Sequence, residues 1–118
     1  MAVELWAIAH PAAASVLAYP EGRAAIASAR RSGRLGPTAC RDALTDFEAL
    51  QHELVTVGVD VELAREAGGL AAEFGLRGYD AVHLASALAL GSRTTLVTWD
   101  RELARAAARK GLGIAPPP

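Results

Sequence analysis

Three carboxylates stand near the starts of predicted helices, where together they could bind a metal ion. Glu21 falls in the first turn of a helix predicted over residues 19–31, Asp80 begins a strongly apolar segment, and Asp100 follows a short apolar run. Ligands of open α/β sheets bind outside the carboxyl ends of the strands, where Asp100 and the nearby Thr98 would lie. Carboxylates gathered at one edge repel one another without a cation, and their hard oxygen atoms suit magnesium or manganese.

Each of these acids, considered alone, could have a purely structural role. Aspartate is a favoured N-cap because it accepts backbone N–H bonds and complements the helix dipole, so Asp60, Asp80 and Asp100 could all be caps. Asp60 is best explained in this way. For Asp80 both interpretations stay open, because a carboxylate at the mouth of a buried helix is costly without a partner or a metal. His83, one turn later, is interpreted as a packing or hydrogen-bonding residue, since no HxxxH or HExxH motif accompanies it.

Other kinds of site lack their sequence signatures. The sequence contains no GxSxG motif, Walker loop or GxGxxG motif, so serine hydrolase, P-loop and Rossmann sites are not indicated. The single cysteine, Cys40, excludes an internal disulfide and a cysteine-based zinc cluster and suits a reducing cytoplasm. No run approaches the roughly 18 uninterrupted apolar residues of a membrane span. We therefore expect a soluble, unexported, cytoplasmic protein.

The predicted elements alternate between helices and strands. Residues 19–31 and 37–54 predict a helical hairpin. Short apolar runs predict three strands, at residues 55–59, 94–98 and 112–115. The second of these reads as a buried parallel strand and the last as a brief edge strand. The remaining helices are predicted to begin at Asp60, Asp80 and Asp100. With 118 residues, of which 52% are hydrophobic, this order predicts one α/β domain whose parallel sheet is flanked by helices.

The net charge of −1 conceals an uneven distribution along the chain. Residues 22–41 carry five arginines and no acid, whereas residues 42–80 carry nine acids against Arg65 and Arg77. Such an asymmetry allows an anionic partner to meet the basic segment. Two solvated helix faces of opposite charge are the simpler explanation.

Three stretches of the sequence resemble the PIN-domain family. LRGYDAVHLASALAL (76–90) and TLVTWDRELARAA (95–107) resemble the C-terminal half of PIN domains, in particular of VapC-type ribonuclease toxins from bacterial toxin–antitoxin pairs. SVLAYPEGRAAIASA (15–29) resembles the segment that carries the family's second acid. The three motifs occur in the family's order and extend over about residues 12–115. The resemblance implies a three-layer PIN-like α/β fold.

The resemblance also implies a site and a chemistry. Glu21, Asp80 and Asp100 occupy the positions of the second, third and fourth family acids, with Thr98 as the accompanying hydroxyl. In the family these residues bind one or two Mg²⁺ or Mn²⁺ ions, which position a water for attack on an RNA phosphodiester. The implied function is a metal-dependent endoribonuclease of the VapC toxin type.

Domain limits and partners follow from the same resemblance. Residues 1–115 are expected to form a single PIN-like domain, followed by a proline tail at 116–118. Arg23 and Arg101 are candidates for weak contacts with the RNA backbone. The family implies an RNA substrate, a cognate antitoxin protein and a homodimer, and no membrane.

The start of the chain departs from the family pattern. PIN domains begin with a central strand that bears the first acid in a pattern like LDTSALVK, whereas only MAVELWAIAHPA precedes the match here. Glu4 stands in a different pattern, so we expect an N-terminally truncated domain without the first acid. Three explanations are open: a misassigned or truncated start, the segment VELWAIA filling the gap, or a partner chain supplying the strand. The alternative function is an inactive PIN-like module that binds an antitoxin or RNA.

Overall fold

Five helices and four short strands make up the part of the chain that the computed structural model describes, residues 13–116. In chain order they are β1 (Ala13–Ser15), α1 (Ala18–Arg31), α2 (Pro37–Glu53), β2 (Val55–Val57), α3 (Val61–Phe74), α4 (Gly78–Ala89), β3 (Thr95–Val97), α5 (Arg101–Arg109) and β4 (Gly113–Ala115). The predicted α/β class is confirmed. None of the described helices is both long enough and apolar enough to cross a membrane. The predicted missing strand and the segment VELWAIA concern residues 1–12, which lie outside the described residues.

Local signals in the sequence set most helix boundaries. The side chain of Asp60 caps α3 by accepting the Leu63 N–H at 2.8 Å, and Gly75 ends that helix in the left-handed conformation at φ +66°. Pro37 opens α2, where its fixed φ suits the first helical position. Asp100 caps α5, as the structural interpretation of that residue predicted. These boundaries agree with the predicted ones to within a residue.

The strands form two separate parallel pairs. β1 pairs with β2, with Ala13 opposite Val55, and β3 pairs with β4, with Thr95 opposite Gly113. Between residues 13 and 116 no strand joins the two pairs, so the single predicted sheet is observed as two pieces. β1 was not predicted, because its alanine-rich sequence has little β-propensity.

The prediction that β3 is buried was wrong. Thr95 is exposed, and Leu96 and Val97 are only half-buried. Within the described residues β3 hydrogen-bonds to β4 alone, which leaves its other edge uncovered by a strand.

The buried core lies in the second half of the described chain. It consists only of leucine and alanine side chains from α3, α4, α5 and the segments that join them: Leu63, Ala67, Leu70, Leu76, Ala81, Leu84, Ala85, Ala87, Leu103, Ala106, Ala107 and Leu112. α4 is the most deeply buried helix, as its apolar sequence predicted. Small alanine side chains allow the three helices to approach closely, so the core is built without buried aromatic rings.

α1 and α2 form the predicted helical hairpin, and neither contains a buried residue. Tyr19 of α1 stacks on Phe47 of α2 with ring centroids 5.6 Å apart. Gly22 lies directly against the same ring, and a Cβ atom at this position would overlap Phe47. The hairpin is therefore held by a few specific contacts between half-exposed side chains rather than by a core.

Candidate functional site

A short turn carries Glu21 to the end of the β1–β2 pair. β1 ends at Ser15, and α1 begins at Ala18. The buried Ser15 Oγ accepts the Leu17 N–H at 3.0 Å, which satisfies a backbone donor in this turn. Glu21 is exposed in the first turn of α1, where the helix dipole favours a negative charge. Its predicted place in the helix is confirmed.

Asp80 lies half-buried in the first turn of α4. The prediction that it begins this helix was wrong, because the helix starts at Gly78 and the cap position is held by the extended residue Arg77, whose side chain makes no capping bond. Leu84, one turn further along the helix, is completely buried. The Asp80 carboxylate therefore lies in the first turn of a buried helix. It does not hold the cap position, which would have given it a structural role.

Two rings lie beside the Glu21 and Asp80 carboxylates. Tyr79 and His83 pack edge to face, with centroids 4.2 Å apart and planes at 87°. Burial, together with the charges of Glu21 and Asp80, raises the pKa of Tyr79 to about 12. Burial lowers the pKa of His83, against the opposing effect of the same two carboxylates. Glu21 and Asp80, which come from distant parts of the chain, therefore both influence the pKa values of the two rings.

The two rings are uncharged near neutral pH. A raised pKa keeps the Tyr79 phenol protonated, and a lowered pKa keeps the His83 imidazole neutral. His83 packs against Tyr79, in agreement with its interpretation as a packing residue. His83 therefore adds no positive charge beside Asp80 near neutral pH.

Asp100 and Thr98 form a second, separate arrangement at the end of β3. One oxygen of Asp100 accepts the Leu103 N–H at 3.0 Å, and the Asp100 N–H donates to Thr98 Oγ1 at 3.0 Å. Both side chains are half-buried. Thr98 thus fixes the backbone from which the Asp100 carboxylate projects. Asp100 is a real N-cap, and its cap bond engages only one of the two carboxylate oxygens.

The carboxylates suit a hydrated divalent cation in the chemistry of their donor atoms. Mg²⁺ is commonly held by one or two carboxylates and completed by water and substrate phosphate, and Glu21 and Asp80 are the candidate carboxylates here. In the described range no three side chains of histidine, cysteine, aspartate or glutamate lie together as a metal-binding group. The convergence of Glu21, Asp80 and Asp100 on one cation stays a prediction.

Arg23 already has partners within the hairpin. Its Nη1 donates to Tyr19 Oη at 2.9 Å and lies 3.5 Å from Glu48 Oε1, and Tyr19 Oη donates to the same glutamate oxygen at 2.6 Å. Arg23 therefore links the two helices near Glu21. Arg101 is exposed at the start of α5, next to Asp100. Contact of either arginine with RNA stays a prediction.

The sequence analysis missed three side chains around these acids. Ser15, at the end of β1, and Thr98, at the end of β3, each accept a hydrogen bond from the backbone N–H two residues later. Tyr79 covers His83 next to Asp80. Trp99 is 54% exposed between Thr98 and Asp100. A serine or threonine two residues before a turn is a recognisable signal, whereas the packing of Tyr79 depends on the fold.

One protein-family model matches most of the chain. The family model of the PIN domain matches residues 3–109. This match takes in part of the segment before residue 12 that the sequence resemblance left out, and Glu4 falls within the match but outside the described residues.

Two curated proteins of Mycobacterium tuberculosis are similar to almost the whole chain. They are Ribonuclease VapC45 of strain CDC 1551 / Oshkosh and Ribonuclease VapC49 of strain ATCC 25618 / H37Rv. Each is 42% identical over 117 residues, which cover 98% of this chain and 81% of the relative. The matched length spans the segments that contain Glu21, Asp80 and Asp100. No solved structure gives a significant match.

Proposed function

Because the chain belongs to the PIN-domain family, we propose that it is an endoribonuclease of the VapC toxin type, which hydrolyses RNA phosphodiester bonds with the help of a divalent cation. The observation that carries this proposal is the 42% identity, over 98% of the chain, to two proteins named as VapC ribonucleases. The structure supports it in that Glu21 and Asp80 both influence the pKa values of the Tyr79 and His83 rings.

Glu21 and Asp80 are the residues that would hold the cation, and Asp100 is the further candidate that the family pattern adds. Magnesium or manganese, when bound, would lower the pKa of a coordinated water and stabilise charge that grows on the phosphate oxygens. Without a cation, the two carboxylates would repel an RNA phosphate. The proposed choice of magnesium or manganese follows from their all-oxygen donor set.

The neighbouring side chains would orient these acids and contact the RNA. Thr98 holds the Asp100 backbone, and the Tyr79–His83 pair packs beside Asp80 without adding a positive charge near neutral pH. Trp99 exposes a ring on which an unpaired RNA base could stack. Arg101, exposed at the start of α5, would contact a phosphate near Asp100. Trp99 and Arg101, which flank Asp100, would bind single-stranded RNA beside the end of β3.

Partners and location complete the proposal. We propose that the chain acts in the cytoplasm, where a cognate antitoxin protein neutralises it, as expected of the VapC type. We propose a homodimer as well, as expected of the VapC type. Light scattering of the purified chain, alone and with a co-expressed antitoxin, measures both associations.

A matched pair of variants tests the ribonuclease function. We expect Asp80→Asn to lower metal-dependent RNA cleavage by more than about 100-fold, since even the outer-shell partners of metal ligands are worth 10–100-fold. Asp60→Asn is the control, because Asp60 also stands at a helix start but acts as the cap of α3, and asparagine caps as well as aspartate does. Cleavage of a labelled RNA is measured in chelator and then with added Mg²⁺ or Mn²⁺. Equal rates for the two variants, or no response to either metal, would support the inactive binding module instead.

A second variant separates the two possible roles of Asp100. Asp100→Asn keeps an N-cap on α5 and should leave the unfolding free energy within about 0.5 kcal/mol of the parent chain. If Asp100 also binds the cation, the same variant loses cleavage. Retained cleavage together with retained stability would assign Asp100 to capping alone.

A further inference from the structure

The two ends of the α1–α2 hairpin differ in charge. Near the start of α1, Arg23 faces Glu48 of α2 at 3.5 Å, so opposite charges meet across the helices. Toward the connection at residues 32–36 the charge is of one sign, because residues 22–41 contain five arginines and no acid. The same helix pair thus has a neutralised end beside Glu21 and a basic end away from it.

Helix periodicity puts two of these arginines at corresponding positions along α1 and α2. Seven residues complete about two turns of a helix, so Arg30 lies on the same side of α1 as Arg23, and Arg41 lies on the same side of α2 as Glu48. A short connection makes consecutive helices antiparallel. Two turns along the hairpin from the Arg23–Glu48 pair, the matching positions are therefore Arg30 and Arg41. An ion pair at one end is replaced by two like charges at the other.

The arginines of the basic end are accessible. Four exposed residues define this end: Arg30, Arg31, Arg34 and Arg41. The ion pairs found within residues 13–116 are Arg23–Glu48, Arg105–Glu102 and Lys110–Glu73, so none of them involves the basic end. Like charges at adjacent positions repel each other unless an anion lies between them. The basic end therefore has the charge and the exposure of an anion-binding surface.

We propose that the basic end of the hairpin binds the sugar–phosphate backbone of RNA, several nucleotides away from the bond that is cleaved. The proposal rests on the ribonuclease function proposed above and extends it to the part of the substrate outside the site. Guanidinium groups suit phosphate because they donate paired hydrogen bonds to its oxygens. Arg30 follows Glu21 by nine residues on one helix, which separates them by roughly 13 Å along the axis. The basic end would therefore hold neighbouring RNA and not the reacting phosphate.

The surface around these arginines favours RNA over an acidic protein. Protein interfaces combine charges with a fully buried apolar centre. The large hydrophobic side chains that are exposed in the described part of the chain are Val16, Val55, Val61, Leu90 and Trp99. None of them belongs to residues 22–41. A surface of arginines without exposed large apolar groups is typical of phosphate-backbone contacts, which are mainly electrostatic.

The test measures RNA binding by the full chain in the absence of cleavage. Asp80→Asn is the parent background, chelator is present, and the affinity for a labelled single-stranded RNA is determined over a series of KCl concentrations. We expect Arg30→Gln/Arg41→Gln to weaken binding at low salt and to reduce the slope of log K against log[KCl] by about 1.4, since each lost phosphate contact on single strands removes about 0.7. Arg65→Gln/Arg93→Gln removes the same charge from exposed positions elsewhere and should leave the slope unchanged.

A charge-preserving variant distinguishes the loss of phosphate contacts from a loss of folding. Arg30→Lys/Arg41→Lys should keep most of the binding and the parent slope, because lysine retains the point charge. The proposal would be overturned if the hairpin and control glutamine variants had the same slope, or if the hairpin variant lost binding to polyglutamate while its affinity for RNA was unchanged. That second result would identify an acidic protein as the partner.

Failure of this proposal is distinguishable from failure of the proposed function. Metal-dependent cleavage that requires Asp80, together with unchanged RNA binding by the hairpin variant, overturns only the role of the basic end. RNA binding that follows the basic end, in a chain with no metal-dependent cleavage, overturns the ribonuclease and supports the RNA-binding surface.

Discussion

The α1–α2 hairpin and the α3–α5 body are stabilised in different ways. The body buries twelve leucine and alanine side chains, four of which are 0% exposed, whereas the hairpin buries none. The hairpin instead depends on the Tyr19–Phe47 stack and on the hydrogen bonds of Glu48 with Tyr19 and Arg23. Burial of apolar surface is the main stabilising contribution to folding, so most of the stability should belong to the body.

The candidate site draws on both regions. Asp80 and Asp100 project from helices that enter the core, while Glu21 belongs to the hairpin. The position of Glu21 relative to Asp80 therefore depends on weaker contacts than the position of Asp80 itself. This comparison leads us to expect that core substitutions change global stability, whereas hairpin substitutions change the site.

The largest effect should come from Leu84→Ala. Leu84 is completely buried at the centre of α4, and such truncations cost about 2–5 kcal/mol because a cavity is left behind. Leu50→Ala, at a half-buried position of α2, should cost clearly less. Urea denaturation of both variants measures the difference. Equal losses would show that the hairpin is as much a part of the core as α4 is.

An intermediate effect is expected from Gly22→Ala, which tests the close approach of the two hairpin helices. The new methyl group would overlap the Phe47 ring, so the ring must leave its stack on Tyr19 or one helix must shift, at a cost of about 1–3 kcal/mol. Because Gly22 is next to Glu21, the variant should also lower metal-dependent cleavage.

Gly68→Ala is the matched control for this substitution. Gly68 is also a helical glycine, but a Cβ atom there meets nothing within 4 Å, so the change should stabilise the chain by about 0.4–1 kcal/mol. Opposite signs for the two variants would sharpen the contrast between hairpin and body. A stabilising Gly22→Ala would contradict the close packing of α1 on α2.

The smallest effect concerns the pH dependence of stability and the Tyr79–His83 ring pair. The pKa of His83 is lower in the folded chain than its ordinary value of 6.5, so the unfolded chain binds more protons as the solution becomes acidic. The stability that the neutral His83 ring contributes is fully present above pH 6.5. It is lost as the pH falls below 6.5 toward the lower pKa that His83 has in the folded chain.

The variant His83→Gln should remove this part of the pH dependence. Its unfolding free energy, measured between pH 7.5 and pH 5.5, should therefore fall less than that of the parent chain. His52→Gln removes an imidazole from an exposed position of α2 and serves as the control. An identical slope for His83→Gln and the parent chain would show that burial of His83 does not influence stability in this range.

Much of the fold could be predicted because its signals are local. Asp60 and Asp100 cap helices, Pro37 opens one and Gly75 ends one, and each acts on backbone groups within a few residues. β1 was missed for the same reason, since its alanines carry no local strand signal and gain their strand conformation only by pairing with β2. The start of α4 was misplaced because Asp80 resembles a cap, although Arg77 takes the cap position.

The candidate site was predictable as a set of residues but not as an arrangement. The acids Glu21, Asp80 and Asp100 could be identified from their positions at helix starts and from the family motifs that contain them. Their neighbours could not, because the burial of Tyr79 and the influence of the distant Glu21 on its pKa depend on the tertiary structure. Similarly, no local pattern indicates that Arg23 is bonded to Tyr19 and Glu48.

The sequence by itself determined the α/β class, most helix boundaries and the charge pattern along the chain, and it supplied the three acids as candidates. Only the tertiary structure decided that Glu21 and Asp80 both influence the Tyr79 and His83 rings, that the strands form two pairs, and that Gly22 lies against Phe47. The physical reason is the range of the interactions. Caps and turns act over a few residues, whereas pKa shifts and close packing are set by side chains that folding brings together from distant positions.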